Sequence, residues 1–290
     1  MRRILFPTDF TDHAERAQAY ALALARRFEA EVELLTSVYV SPVPVGPYTY
    51  APPRDYLERS REVARAALEE AARAFSEQGV RATCRLADRD PSLAICERAE
   101  EWDAELIVMG TVGRTGLRHL FIGSVAERTA RLAPCPVLTA HAESPEPGNL
   151  QNVMVLTDFS DSANEALLWA RSLVRETEGR LLLVHSYALP SALWADGTPL
   201  GDSLLESLRQ AAEQALADAA GRVDDCPVET LATHVLPERA ALDIAEERGS
   251  ELIVLGTRGH TGLARAALGS TAERVIRLSA PPVVTVKAPD

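Results

Sequence analysis

The chain has 290 residues, 47% of them hydrophobic and 25% charged, a balance that fits a folded globular protein and excludes a disordered or membrane-embedded one. Its formal charge of -12, from 30 Lys and Arg against 42 Asp and Glu, argues against nucleic acid or an anionic membrane as a partner. Four cysteines (Cys84, Cys96, Cys135, Cys226) form no CxxC pair and six histidines show no HxxxH spacing, so neither a disulfide framework nor a metal cluster is expected and the thiols are read as buried and free.

Short apolar runs alternate with helical patterns from the first residues onward. Ile4 to Pro7 reads as a strand, and Ala17, Tyr20, Ala21, Leu24, Ala25 and Phe28 mark one face of a helix capped by Thr11 or Asp12. Val32 to Val40 is the next strand. A proline-rich loop from Ser41 to Pro53 leads to a long helix with Val63, Ala64, Ala67, Leu68, Ala71 and Phe75 on its apolar side. Val80 to Leu86 is a third strand, Pro91 opens a helix through Ile95 and Ala99, Leu106 to Met109 is a fourth strand, Ser124 to Leu132 a helix, and Pro136 to Ala140 a fifth strand. No apolar run reaches the roughly 18 residues needed to cross a membrane, and a cytoplasmic, reduced protein is expected.

The second half repeats the first. Ile4 to Asp12 recurs as Val153 to Asp161, and Leu106-Ile107-Val108-Met109-Gly110-Thr111 recurs as Leu252-Ile253-Val254-Leu255-Gly256-Thr257. The polar stretch around Pro145, Pro147 and Gly148 has no apolar period and reads as a linker over residues 143–151, between domains spanning 1–142 and 152–290. Strands alternating with helices predict two α/β domains, each a five-stranded parallel sheet with helices on both faces. In such sheets ligands sit beyond the carboxyl ends of the strands where the strand order reverses, so residues after the first and fourth strands become the candidates.

After the fourth strand come Gly110-Thr111-Val112-Gly113, nine residues, and Gly123-Ser124 opening a helix; half two has Gly256-Thr257-Arg258-Gly259, nine residues, and Gly269-Ser270. Glycines allow close backbone approach and positive φ, and a helix start adds unsatisfied N–H groups and a positive dipole end. Together these predict a phosphate cradle. The spacing is neither a P-loop nor a GxGxxG dinucleotide fingerprint. A loop-shaping role for the glycines, and an N-cap or Asx-turn role for Asp9 and Asp158, stand beside the binding role.

The Gly-x2-Gly-x9-Gly-Ser spacing, the Pro7-Thr8-Asp9-Phe10 end of the first strand, and Cys135-Pro136-Val137-Leu138 closing half one resemble the universal stress protein family in its ATP-binding form, over nearly the whole chain in two copies. That resemblance implies Rossmann-like domains joined antiparallel through their fifth strands as an internal pseudo-dimer. Its implied cofactor is ATP, AMP or ADP with Mg²⁺ on the phosphates. Asp9 and Asp158 would lie against the nucleoside, walled by Pro7, Thr8 and Met109 or Leu156, Thr157 and Leu255. Backbone near Val38 or Ser186 would meet adenine, and Gly110 and Gly256 the ribose. Gly113, Gly123, Ser124 and Val125, or Gly259, Gly269, Ser270 and Thr271, would hold the phosphates. Half two departs at Leu156, where proline is usual, and at Ser186, taken as replacing an apolar residue.

The leading functional reading is a nucleotide sensor in the stress response, whose ATP-bound form offers a changed surface to an unidentified protein partner, with a homodimer as a further assembly. A slow ATPase or self-phosphorylating protein using Ser124 or Ser270, and an interaction scaffold with vestigial pockets, are the alternatives. No lysine lies in either glycine loop to stabilise phosphoryl transfer, so a fast ATPase is not expected.

Overall fold

The computed structural model describes residues 1–289 except 41–42, 46–47, 51–52, 112–121, 188–201 and 260–266. Backbone contacts group the chain into two units, Met1–Glu146 and Pro147–Asp290. In the first unit the order is β1 (Arg3–Pro7), α1 (Asp12–Phe28), β2 (Glu31–Ser37), β3 (Val43–Val45), β4 (Tyr48–Tyr50), α2 (Arg54–Glu77), β5 (Ala82–Ala87), α3 (Pro91–Glu101), β6 (Leu106–Gly110), α4 (Ser124–Leu132) and β7 (Val137–Ala140). Its five long strands lie side by side as β7-β6-β1-β2-β5, every neighbouring pair parallel.

The central strands need no alternation of polar and apolar residues because helices cover both faces. Ile4, Leu5, Phe6, Leu106, Ile107 and Val108 are all fully buried. Helix α1 reaches the sheet through Ala14, Ala17, Tyr20, Ala21, Leu24 and Ala25, mostly small residues that let its backbone lie close to β6 and β1. It stops where Glu29 turns left-handed (φ 51°) and the Ala30 N–H closes onto the Ala25 carbonyl at 2.9 Å.

The second unit repeats this plan with β8 (Asn152–Thr157), α5 (Asp161–Thr177), β9 (Arg180–Ser186), α6 (Asp202–Ala220), a 3₁₀ turn at Gly221–Val223, β10 (Val228–Thr233), α7 (Pro237–Glu247), β11 (Leu252–Gly256), α8 (Ser270–Leu278) and β12 (Val283–Val286). Its order is β12-β11-β8-β9-β10, again parallel throughout. In both units the connections leave in opposite directions from the central strand (β1 or β8), so the crevice beyond its carboxyl end is where side chains from several elements converge.

Four local expectations are corrected. The second strand ends at Ser37 rather than Val40, because the Ser37 hydroxyl turns to the Arg89 carbonyl and the chain leaves the sheet. The proline-rich stretch is not all loop: Val43–Val45 pairs antiparallel with Tyr48–Tyr50, two β-prone triplets with Gly46-Pro47 between them in sequence.

Val63, placed on the apolar side of its helix, is 70% exposed, while Leu68 and Phe75 are buried. Helix α2 packs on β5, and 24 helical residues span about 36 Å against about 20 Å for the six-residue strand, so its amino-terminal turns overhang. The cysteines are free, but Cys84 is exposed and the other three are half-buried. Burial pushes the Cys96 thiol up to about 11 and Cys135 up to about 12, which makes them poor nucleophiles.

Candidate functional site

The carboxyl end of β1 is built by its own side chains. Asp9 Oδ1 accepts from the Thr11 amide at 3.2 Å and the Thr11 hydroxyl at 2.7 Å, an Asx turn that starts α1. Thr8 Oγ1 accepts from the Phe10 amide at 3.1 Å and thereby holds Phe10 at φ 61°. A bulky residue in that region is strained and persists only where its surroundings over-determine it. The second unit reproduces the device. Thr157 Oγ1 accepts from Phe159 N at 3.0 Å, Asp158 Oδ1 from Ser160 N at 3.0 Å, and Phe159 stands at φ 64°.

The glycines serve close approach, not left-handed backbone. Among the described residues the positive-φ glycines are Gly79 and Gly249, and Gly123 and Gly269 sit at φ -60° and -62° as the N-caps of α4 and α8. A Cβ on Gly110 would come within 2.9 Å of the His13 carbonyl carbon, and one on Gly256 within 2.8 Å of Ser162 backbone, so each lets α1 or α5 start flush against the strand. A Cβ on Gly259 would meet Asp158 Oδ2 at 2.5 Å. The Gly123 amide is not available to a ligand, because it donates to the Thr111 carbonyl at 2.8 Å; Gly269 does the same to Thr257 at 2.9 Å. Any anion at these helix starts therefore meets the amides of Ser124 and Val125, or Ser270 and Thr271, which stand at the first two helical positions, before any intrahelical acceptor exists. Gly113 lies outside the described residues.

In the first unit these pieces enclose a cavity of about 470 Å³, within the range of small-molecule sites. Pro7, Thr8, Asp9, Met109, Gly110, Gly123, Ser124 and Val125 all line it. Val38 does not; its amide donates to the Ala87 carbonyl at 2.9 Å. Its floor is apolar, with Leu35, Ile95, Met109 and Ala126 belonging to one buried cluster. Asp9 is the one charged residue among the described lining residues. The wall thus offers apolar contact in the middle, a carboxylate at the end of β1 and a helix N-terminus opposite.

Sequence reasoning missed the Leu35-Thr36-Ser37 wall, Tyr39, Pro91, Ile95 and Thr111. Repetition could have found three of them: Ser37, Pro91 and Thr111 return as Ser186, Pro237 and Thr257. Arg128, which the sequence does not single out, meets Asp90 Oδ2 through its Nη1 at 3.1 Å. Asp90 Oδ1 caps α3 by accepting from Ser92 Oγ at 2.6 Å and Leu93 N at 3.2 Å. The Ser92 hydroxyl, then the Leu93 amide and the Arg128 charge, hold the Asp90 carboxyl below its ordinary value. Arg128 thereby fixes α4, whose first turn lines the cavity, to the start of α3. In the second unit Leu236 replaces Asp90 as N-cap and Arg274 pairs instead with Glu238.

The hydrogen bonds also correct the alignment of the halves. The Val38 amide donates to Ala87 and the Tyr187 amide to Thr233, both at 2.9 Å, and Ser37 and Ser186 hydroxyls bond the carbonyls of Arg89 and Val235. Ser186 is therefore the counterpart of Ser37, and Tyr187 that of Val38; no apolar residue was replaced. In the second unit Leu156 and Leu255 are buried, and Gly259 borders a cavity of about 320 Å³ with Ser160, Ser162, Thr257 and Lys287. The segments 188–201 and 260–266 are outside the described residues.

Each unit is thus a doubly wound α/β domain with an Asx-turn carboxylate after its central strand and a helix N-terminus at α4 or α8, and in the first unit the two line one cavity. Comparison with known proteins gives the family. The universal stress protein family model matches residues 1–141 and again 149–287, and the chain belongs to that family as a tandem of two such domains. It is 38% identical over 137 residues, 47% of this chain and 80% of the relative, to a universal stress protein of Methanocaldococcus jannaschii. A universal stress protein of Mycobacterium tuberculosis is 28% identical over 192 residues, 64% of this chain and 62% of that protein, so this chain spans less than two thirds of that relative. The crystal structure of a universal stress protein from Archaeoglobus fulgidus covers 99% of this chain and 98% of its own, with a TM-score of 0.71 and 25% identity. Among the described residues no helix is long and apolar enough to cross a membrane.

Proposed function

We propose that the first unit binds an adenine nucleotide and that the protein acts as a nucleotide-dependent sensor in a stress response. The observation that carries the reading is the cavity of about 470 Å³ with Asp9 at one side, apolar residues along its floor and the start of α4 at the other. That sequence of surfaces matches a nucleoside with a phosphate tail: a carboxylate accepts from hydroxyl or amine donors, apolar side chains cover a flat base, and helix amides take oxyanions. Its parts recur in the second unit at the same spacing, and membership in the universal stress protein family agrees with it.

Mg²⁺ would travel with the phosphates. Asp9 is the single carboxylate among the described lining residues, with Oδ1 accepting from Thr11, so the described wall brings no cluster of carboxylates to hold a resident metal. Nucleotide bound across β1 and α4 would connect the loops that follow β6 and β2, and a partner that prefers the connected form would read nucleotide occupancy. Mass spectrometry of small molecules released by heat from the purified chain, with calorimetric titration of ATP and AMP, tests the reading. Bound adenine nucleotide or saturable titration is expected; neither appearing overturns it.

A further inference from the structure

We propose that the first unit carries a second ligand site, at the amino ends of its strands and remote from the crevice, that takes a compact oxyanion bearing two or more negative charges. A cavity of about 770 Å³ there is lined by Arg2, Arg26 and Arg81, with Glu29 and Glu31 as its acidic residues. The sheet brings the arginines together: the Glu31 amide donates to the Arg2 carbonyl and the Val32 amide to the Arg81 carbonyl, both at 2.9 Å. Arg2 and Arg81 therefore flank Glu31 on neighbouring strands, about 4.8 Å apart per step. Arg26 reaches the same space from the last turn of α1.

Charge balance marks the corner as built for an anion. Glu31 is shared between Arg3 at 3.6 Å and Arg81 at 3.8 Å, both long for an ion pair. The guanidinium groups of Arg2 and Arg26 have no acidic partner among the described residues. Three arginines against Glu29 and Glu31 leave the corner with an excess of positive charge that an anion relieves; the planar fork of each guanidinium suits phosphate or carboxylate oxygens. This happens on a chain whose net charge is -12.

The duplicate supplies the contrast. The Arg180 amide donates to the Gln151 carbonyl and the Leu181 amide to the Pro227 carbonyl, the same two bonds, so Arg2 and Arg81 correspond to Gln151 and Pro227. Arg26 corresponds to Arg175, and there the charge is answered within the chain: Asp225 lies 3.2 Å from Arg175 and 2.6 Å from Arg171. Hydrogen bonding from Arg171 holds the Asp225 carboxyl below its ordinary value. By the same alignment Asp225 stands where the first unit has Gly79 at φ 78°. One copy of the corner closed its own charge, and the other left it open.

The test is calorimetric titration of the full chain at low ionic strength with inorganic pyrophosphate and, separately, with citrate, the two arms separating phosphate from carboxylate chemistry. All chains carry S124D, so that an anion at α4 is repelled and does not contribute. Saturable binding of at least one probe is expected, weakened roughly tenfold or more by R2Q/R26Q/R81Q. The double variant R26Q/R81Q, which leaves the start of β1 unchanged, should fall between. No saturable binding of either probe, or equal binding with and without the arginines, overturns the proposal.

Discussion

The two units share a backbone plan and differ in what stands beneath and beside their crevices. In the first, Glu33, only 6% exposed, accepts a two-pronged bond from Arg98 at 2.5 and 3.1 Å; in the second, Leu182 and Ile244 hold the corresponding positions, each 8% exposed. His13 accepts from the Ala142 amide at 3.1 Å, while the Thr111 hydroxyl meets His141 at 2.8 Å. Their counterparts are Ser162 and Lys287, a cavity of about 320 Å³ is present, and the Thr257 hydroxyl is buried with no partner among the described residues. By contrast the Asx turns, the strained phenylalanines and the flush glycines are common to both. What duplication kept is the geometry of the crevice; what it varied is the support.

The Glu33–Arg98 pair gives the largest expected effect. Glu33→Leu alone leaves the half-buried Arg98 guanidinium with the exposed Glu101 carboxylate at 3.4 Å in place of its buried two-pronged partner and should cost about 3 kcal/mol, read as a lower urea midpoint. Adding Arg98→Ile, which installs the second unit's residues, should recover most of that loss, because an apolar pair is tolerated where a charge stripped of its buried partner is not. If the double variant is as unstable as the single, the two units are not interchangeable at this position.

Gly110→Ala and Gly256→Ala sharpen the comparison from the other side, since both new methyl groups strike backbone at 2.9 Å or less. Each should destabilise its unit by about 2 kcal/mol in thermal unfolding, and by similar amounts. Among the described residues Gly259→Ala meets the Asp158 carboxylate, a side chain and not backbone, so it should cost less stability.

Asp9→Ala should leave the fold standing, since it removes one partly exposed turn, and weaken ATP binding by roughly tenfold, the worth of one charge-assisted hydrogen bond. Unchanged affinity by calorimetry would remove Asp9 from the site.

The smallest effect belongs to Asp90. Asp90→Leu, the second unit's residue, should cost about 1 kcal/mol as a lost cap. The folded carboxyl is held below its ordinary value, so the contribution is fully present above the unfolded value of about 4 and disappears as pH falls through the lower folded value. Urea curves of the two chains should separate at pH 7 and converge in strong acid; a constant gap would assign Asp90 no electrostatic part.

The strands, the helices and the crevice were legible because buried parallel strands are written as unbroken apolar runs and because every motif appears twice. Pro7, Thr8, Asp9 and Ser124 were found that way. Leu35, Ile95 and Tyr39 were not, because strand order, which no local pattern states, is what carries β2 and α3 to the crevice. Val63 was misjudged because helix periodicity says which side is apolar but not how far the strand beneath it extends. Pairing Ser186 with Val38 was one residue off: the constant offset that carries Ile4 to Val153 carries Ser37 to Ser186 and Val38 to Tyr187, and the hydrogen bonds of those four residues keep that register. The engaged amides of Gly123 and Gly269 were likewise hidden, since a glycine in the sequence says nothing of which carbonyl its N–H meets.

The central claim is that the start of α4 holds the phosphates of an adenine nucleotide, and ATP titration of the Ser124→Asp chain tests it most directly. An aspartate at the first helical position favours the helix itself, so the fold should persist while its charge opposes the phosphates. The account predicts that ATP affinity falls roughly a hundredfold, two like charges in a shielded site opposing each other by a few kcal/mol, while adenosine binds as before. ATP binding as tightly to the Ser124→Asp chain as to the native one would contradict it.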